Sequence, residues 1–335
     1  MGPFETAAGS TIERRINNMD LSEISIKAKF LSFKTLISFV LGFLMLYLLY
    51  GQVDLNKTIN IAKQCRLSLF LLAFIVFYLS ILLRGLRWNV LLKNIGLRGT
   101  NTAAVEILFL SWFANVLVPA KLGDIYRAYL IRKNYDFSML KTFGSIYSER
   151  VFDMIFLFLL FGLSGLVSFK AKLPPNVVNM LIISFSMATL LILLLLIMKH
   201  SRRLIKKVMP KRFSRFYDLF EEGALLSLKQ IPLVSSCTIG IWVLECGSLF
   251  LVVHAINIHI GVPIIVFVAL AASLLTTLPI TPAGLGAVEG AMVIILSLFG
   301  MGTDVGVSIA ILGRLISYWS ILPLGFVTYL FSQRK

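Results

Sequence analysis

Six stretches of this 335-residue chain stay apolar over lengths that suit a hydrocarbon core: residues 33–50, 67–83, 143–169, 181–198, 233–253 and 306–332. A helix needs about 20 predominantly apolar residues to cross a bilayer. Lys34, at the edge of the first stretch, can snorkel to the interface. Two further regions, 102–131 and 264–299, are apolar but interrupted by proline and glycine. The pattern predicts an all-α polytopic membrane protein of about eight hydrophobic helical units, six clear spans and two broken segments. Residues 1–32 are polar and mixed in charge, with no short apolar run ahead of a small-residue cleavage site. No signal peptide is expected, and the first apolar stretch reads as a retained helix.

Composition agrees with this class. The chain is 58% hydrophobic and 14% charged, with a mean hydropathy of +0.89; soluble domains carry about 25% charged residues. The formal net charge of +16 would suggest nucleic acid in a soluble protein. Here the basic residues lie between apolar stretches, as the positive-inside rule and anionic headgroups require, and no zinc-finger or basic-zipper pattern is present. No cofactor is implied. Cys65, Cys237 and Cys246 are too dispersed for a disulfide framework or a metal site, and His200, His254 and His259 lack ligand spacing.

Lysine and arginine also set the sidedness. Residues 199–229 carry nine of them and are expected in the cytoplasm. Arg84, Arg87, Lys93 and Arg98 mark a second cytoplasmic loop, and Lys121, Arg127, Arg132, Lys133 and Lys141 a third. Residues 255–262 and 300–305 have neither lysine nor arginine and belong outside. Both termini fall in the cytoplasm. The first broken segment is then flanked by cytoplasmic loops and the second by outer ones. Each enters and leaves from one side, as a re-entrant hairpin or as two full spans. Two loops placed outside carry charge against this scheme, at 54–66 and 170–180.

The broken segments nearly repeat each other. Residues 118–131 read VPAKLGDIYRAYLI and residues 281–294 read TPAGLGAVEGAMVI, with six of fourteen positions identical. Chance similarity between apolar segments is one explanation. The other is an inverted repeat, with repeat 1 at about 67–169, repeat 2 at about 233–332 and the basic cytoplasmic loop 199–232 between them. Paired helix breaks at Pro119 and Gly123, and at Pro279, Pro282, Gly284 and Gly286, are a transporter signature.

Ionisable residues sit where lipid should be. Glu149, Arg150 and Asp153 open the third span, Asp124 and Arg127 follow the first break, Glu289 follows the second, and Arg314 lies within the last span. Intramembrane charges must pair or meet water. They form either a headgroup pathway or an interfacial anchor, and for Arg314 a structural lock with Glu289 or Glu245 is the competing reading. A guanidinium binds phosphate in bidentate fashion, so Arg127, Arg150 and Arg314 are the candidate headgroup ligands. Each break also offers a helix start for a phosphate. Glu106 and Glu245 are isolated acids able to carry a proton or to hydrogen-bond in a static core. The mixture of basic and apolar residues over 202–220 fits an interfacial helix broken by Pro210, or a solvated basic loop. No GxSxG, HExxH or Walker A pattern occurs, so no soluble catalytic set is expected.

Three ordered motifs carry a family likeness. Asn115 to Arg127 (NVLVPAKLGDIYR) resembles the first motif of the lysylphosphatidylglycerol synthase/flippase transmembrane family. Ser148 to Asp153 (SERVFD) is similar to its ER-x-x-D element, and Leu278 to Glu289 (LPITPAGLGAVE) to its LPxTPGGLGxxE element. Arg87-Trp88 resembles an earlier RW pair, and the likeness spans about residues 30–332. Asp124 stands where the family pattern has Glu, and Ala283 where it has Gly. The resemblance implies a multi-pass protein of the plasma or inner membrane that moves lipids or lipid-linked groups between leaflets. Substrate identity varies across the family and does not follow from the resemblance; from the residues themselves the expected partner is an anionic phospholipid or polyprenyl-linked lipid, with Asn115, Arg127, Arg150 and Arg314 at the headgroup. Asp124, Glu149, Asp153 and Glu289 would pair charges or couple protons. The chain ends just after its last span, so the aminoacyl-transferase domain of some members is not expected. Two alternatives are a membrane-embedded transferase for a lipid-linked substrate and a non-transporting partner of a synthase or glycosyltransferase. A homodimer is a further expectation, and nucleic acid is not.

Overall fold

The computed structural model describes residues 33–51, 54–118, 122–170, 174–200, 210–277 and 281–335. Among these, every regular element is helical. The helices are α1 (Phe33–Tyr50), α2 (Leu55–Lys63), α3 (Leu67–Asn94), α4 (Asn101–Leu117), α5 (Leu122–Tyr135), α6 (Met139–Ser168) and α7 (Pro175–His200). They continue with α8 (Lys211–Ser227), α9 (Ile231–Ala255), α10 (Val262–Thr277), α11 (Ala287–Leu298), α12 (Thr303–Arg314) and α13 (Ile321–Phe331). Short 3₁₀ turns lie at Leu228–Gln230 and Pro282–Gly284. A five-residue π-helix, Leu315–Trp319, joins α12 to α13.

Five helical stretches are long and apolar enough to cross a membrane: Leu67–Asn94, Met139–Ser168, Val177–His200, Ser214–Ala255 and Thr303–Phe331. The other predicted span is α1, 18 residues long. The chain is therefore a multi-pass integral membrane protein. Its lipid-facing surface is rich in exposed apolar side chains, among them Ile182, Phe185 and Leu190 on α7.

Both interrupted regions become pairs of short helices. Helices α4 and α5 have 17 and 14 residues, and α10 and α11 have 16 and 12. At about 1.5 Å rise per residue none spans a core about 30 Å thick. Of the expected break residues, Gly123, Pro282, Gly284 and Gly286 are described, while Pro119 and Pro279 lie outside the described residues. Ala283 takes φ 45° and Gly286 φ 82°, so the chain turns through the left-handed region before α11 begins. Gly123, at the start of α5, lies against α4. A side chain there would collide with the Ser111 carbonyl and the Asn115 carboxamide.

Helices α3 and α9 pack along each other. Around them the contacts fall into matched sets. Helix α3 packs on α4 as α9 packs on α10, and α5 contacts α4 and α6 as α11 contacts α10 and α12. Across the halves, α6 packs on α10 and the final helix α13 packs on α4. Outside this frame α8 packs on α6 and α2 on α12.

Two sequence expectations are corrected here. Arg84 and Arg87 do not sit in a loop. Helix α3 continues to Asn94, 11 residues past the expected end of its span, and buries both arginines. Charge counted along a sequence marks them as loop residues because it does not register their partners. Residues 199–232 are likewise not a loop throughout. Residues 201–209 lie outside the described residues, but α8 starts directly after Pro210 and is clamped to α6 at Gly144 and Gly223, where the backbones touch.

Candidate functional site

Four helices converge on one buried ion network. Helix α3 supplies Arg84 and Arg87, α5 supplies Asp124 and Arg127, α6 supplies Glu149, Arg150 and Asp153, and α9 supplies Glu245 and Thr238. Glu149 and Asp153 are four residues apart and so share a helix face. Both face Arg87, which donates to Asp153 at 2.6 Å, to Glu149 at 3.0 Å and to the Thr238 hydroxyl at 2.8 Å. Arg127 pairs with Glu149 at 2.9 Å, lies 3.7 Å from Asp124 and stacks over Trp88. Arg150 makes a fork to both oxygens of Asp124, at 2.9 and 3.0 Å, and lies 3.8 Å from Asp153. Arg84 bonds Glu245 at 2.5 Å and approaches Asp153 at 3.6 Å. Four guanidinium groups thus face four carboxylates, and the set is formally neutral. Bare charges at membrane depth are expensive; mutual pairing is what lets this chain retain them.

A smaller cluster forms at the second break. Arg314 donates to Glu289 at 2.8 Å and to the Ala283 carbonyl at 3.0 Å, and its guanidinium stacks on Tyr318. Glu289 in turn accepts the Gly286 N–H at 2.8 Å. The first break is built alike: Asn115 accepts the Gly123 N–H at 2.8 Å. In each case an acid in the first turn after the break, Asp124 or Glu289, holds an arginine from the next helix, Arg150 or Arg314. The lock expected between Arg314 and Glu289 is present, while Glu245 pairs with Arg84 instead.

Both clusters border one cavity of about 260 Å³. Its polar lining includes Arg84, Asn115, Arg150, Asp153, Glu245 and Arg314, and its apolar lining Phe77, Leu157, Val252, Met292 and Ile321. The Thr281 hydroxyl and the Trp242 indole N–H, both buried and both on this lining, have no hydrogen-bond partner among the described residues. Such a space suits an amphiphile whose charged end meets the arginines.

The structure thus brings Asn115, Arg150, Asp153 and Arg314 to a common cavity, with Asp124, Glu149 and Glu289 one layer behind. Pro282 and Gly284 are buried in the turn beside it. Arg127 stands apart: it is 2% exposed and is not on the cavity wall, so its place is in the supporting network. The sequence reading missed Arg84 as a cavity residue. The signal was the spacing of Arg84 and Arg87, which places them on one helix face. Glu106, the other isolated acid, pairs with Arg334 and Ser332 and is not on that wall.

Residues 35–325 match the lysylphosphatidylglycerol synthase TM region. The chain belongs to that family. Its relatives include a UPF0104 membrane protein of Methanocaldococcus jannaschii, 33% identical over 67% of this chain and 95% of the relative. A UPF0104 membrane protein of Pyrococcus horikoshii is 23% identical over 88% of this chain and 96% of its own length. The glycosyltransferase AglD of Haloferax volcanii is 29% identical over 38% of this chain but only 20% of the relative. The three motifs of the lysylphosphatidylglycerol synthase family all border the cavity, through Asn115, Arg150 and Asp153, and Thr281, Ala283 and Val288. As a membrane protein of this family, the chain works among membrane lipids.

Proposed function

We propose that this protein is a translocator that moves an anionic or lipid-linked substrate between leaflets of the cell membrane. One observation carries the reading: a single cavity receives an arginine from each half of the molecule, each tethered to an acid just after a broken helix. Arg84, Arg150 and Arg314 hold the phosphate by charge-assisted bonds, and Asn115 frames the same wall. Asp124, Glu149, Asp153 and Glu289 keep the guanidinium groups aimed. Arg127 supports this frame through Glu149. The matched packing of α3–α6 and of α9–α13 supports an inverted repeat with re-entrant α4–α5 and α10–α11, entered from opposite sides. Rocking of one half against the other would expose the cavity alternately.

Reconstitution into liposomes with labelled anionic lipids tests the reading. Arg150→Ala should slow leaflet exchange about 10- to 100-fold, the rate equivalent of about 1.5–3 kcal/mol for a hydrogen bond between charged groups. Wild-type protein that exchanges no anionic phospholipid or polyprenyl-linked lipid would rule it out. The likeness to a glycosyltransferase favours a second reading, in which this membrane domain seats or assists an enzyme that modifies a lipid-linked substrate. Turnover of a lipid-linked donor without exchange would support that reading.

A further inference from the structure

The charges bordering the cavity leave no guanidinium without a carboxylate. Arg84 has Glu245 at 2.5 Å, Arg150 has Asp124 at 2.9 Å, and Arg314 has Glu289 at 2.8 Å. An incoming phosphodiester therefore adds a negative charge to a set already in balance. Excess charge at membrane depth is too expensive to hold uncompensated. Something positive must enter with it, or a carboxylate must become neutral.

The carboxylates differ in how firmly they are held. Asp153 lies within 4 Å of Arg84, Arg87 and Arg150. Glu149 pairs with Arg87 and Arg127, and Asp124 with Arg127 and Arg150. Glu289 has Arg314 and the Gly286 N–H. Among the described residues Glu245 has Arg84 alone, and it borders the cavity. No other cation among the described residues lies within ion-pairing distance of Glu245. The charged groups on the elements packed against α9 are Arg84, Arg87 and Lys93 from α3, Lys141, Glu149, Arg150 and Asp153 from α6, Asp304 and Arg314 from α12, and Lys229 from the 3₁₀ turn before α9, while α10 has no ionisable residue. Of these, Arg87 and Arg150 are engaged by α5 and α6 carboxylates, and Arg314 by Glu289. Arg84 itself is held between the Trp112 and Trp242 rings, 5.5 and 5.4 Å from their centroids. The arginine is thus fixed, and its carboxylate is the partner that can be exchanged.

We propose that Glu245 is the proton-coupling residue: the anionic headgroup replaces it on Arg84, and the released carboxylate takes up one proton from water in the cavity. The bond broken is the Arg84–Glu245 ion pair, the bonds formed are Arg84 to phosphate oxygen and a proton to the Glu245 carboxylate, and the net charge of the site is unchanged. Substrate and proton bind together, so a proton gradient can drive the lipid. This rests on the translocator reading above and adds its driving ion.

The test uses the full chain in detergent with dihexanoyl phosphatidylglycerol as the anion, in weakly buffered solution with a pH indicator. Wild type should take up one proton per anion bound, and its affinity should fall about tenfold per pH unit once the unliganded acid is ionised. Glu245→Gln should bind without uptake and with affinity independent of pH, while Glu106→Gln, remote from the cavity, keeps the wild-type uptake. Monodisperse elution of each variant verifies folding. Binding without uptake in wild type, or uptake that persists in Glu245→Gln, overturns the proposal and leaves the translocator reading standing. Absence of anion binding by wild type removes both.

Discussion

Two kinds of charged residue meet in this molecule, and their burial separates them. Arg87 is fully buried and shares its bonds among Asp153, Glu149 and Thr238. Asp153→Asn strips a charge from the most connected carboxylate and leaves buried arginines short of a partner. We expect a loss of about 3–5 kcal/mol, read as a large drop in thermal stability in detergent. The Arg150 side chain is 29% exposed, and the residue borders the cavity. Arg150→Ala should lower stability far less while it slows exchange; equal stability losses from the two would dismiss this division of labour. Ala283 offers a test of opposite sign. It occupies the left-handed region at φ 45°, a conformation that favours Gly. The region costs a non-glycine residue roughly 1–2 kcal/mol, partly offset by the entropy that a glycine adds to the unfolded chain. Ala283→Gly should therefore stabilise by about 0.5–1 kcal/mol, and a melting temperature below wild type would contradict the assignment of strain. Most of this cluster could be read from the chain alone, because Glu149, Arg150 and Asp153 sit at helical spacing. For Arg84 and Arg87 the spacing marks a shared helix face but not what that face meets, because a guanidinium near the end of an apolar run has the same sequence signature whether it meets headgroups or a buried carboxylate.

At the scale of elements, the breaks matter more than the spans. The second break is closed by α1, whose Gly42 carbonyl oxygen would lie 2.6 Å from a Cβ placed on Gly286. Gly286 is also at φ 82°. Gly286→Ala combines backbone strain with a steric clash and should destabilise by about 2–4 kcal/mol. Gly300, at φ 77° with nothing within 4 Å of where a Cβ would sit, carries the backbone strain alone, about 1–2 kcal/mol. Comparing the melting curves of Gly286→Ala and Gly300→Ala separates packing of α1 against the break from backbone strain; equal shifts would mean that α1 contributes nothing there. The breaks were legible because proline and glycine interrupt an apolar run visibly. The true end of α3 was not, since hydropathy reports where lipid is and says nothing of a helix that continues past it; for α8 the mixed basic and apolar pattern offered a helix after Pro210 but did not decide between it and a loop.

At the scale of the whole molecule, the proposed opposed orientation of the halves is open to direct measurement. With Cys65, Cys237 and Cys246 replaced, single cysteines at Asn257 and at Lys133 should label from opposite faces in sealed vesicles with a membrane-impermeant thiol reagent. Labelling of both from one face would remove the inverted arrangement. The sidedness expected from lysine and arginine rests on a rule that acts on short loops, and this labelling pattern is its test. The pairing of α6 with α10 and of α4 with α13 was not, because contacts between distant segments leave no periodic trace in an apolar chain.

The π-helix at Leu315–Trp319 bears on how such a molecule would rest. In the proposed inverted repeat its counterpart is α6, which runs unbroken from Met139 to Ser168. A wide turn inserts extra backbone and re-aims every side chain beyond it, so the halves are not interchangeable. If they trade conformations to switch sides, the two end states are not mirror images and their free energies differ. The empty protein then has a preferred facing, and the work of resetting it falls unequally on the two directions of travel.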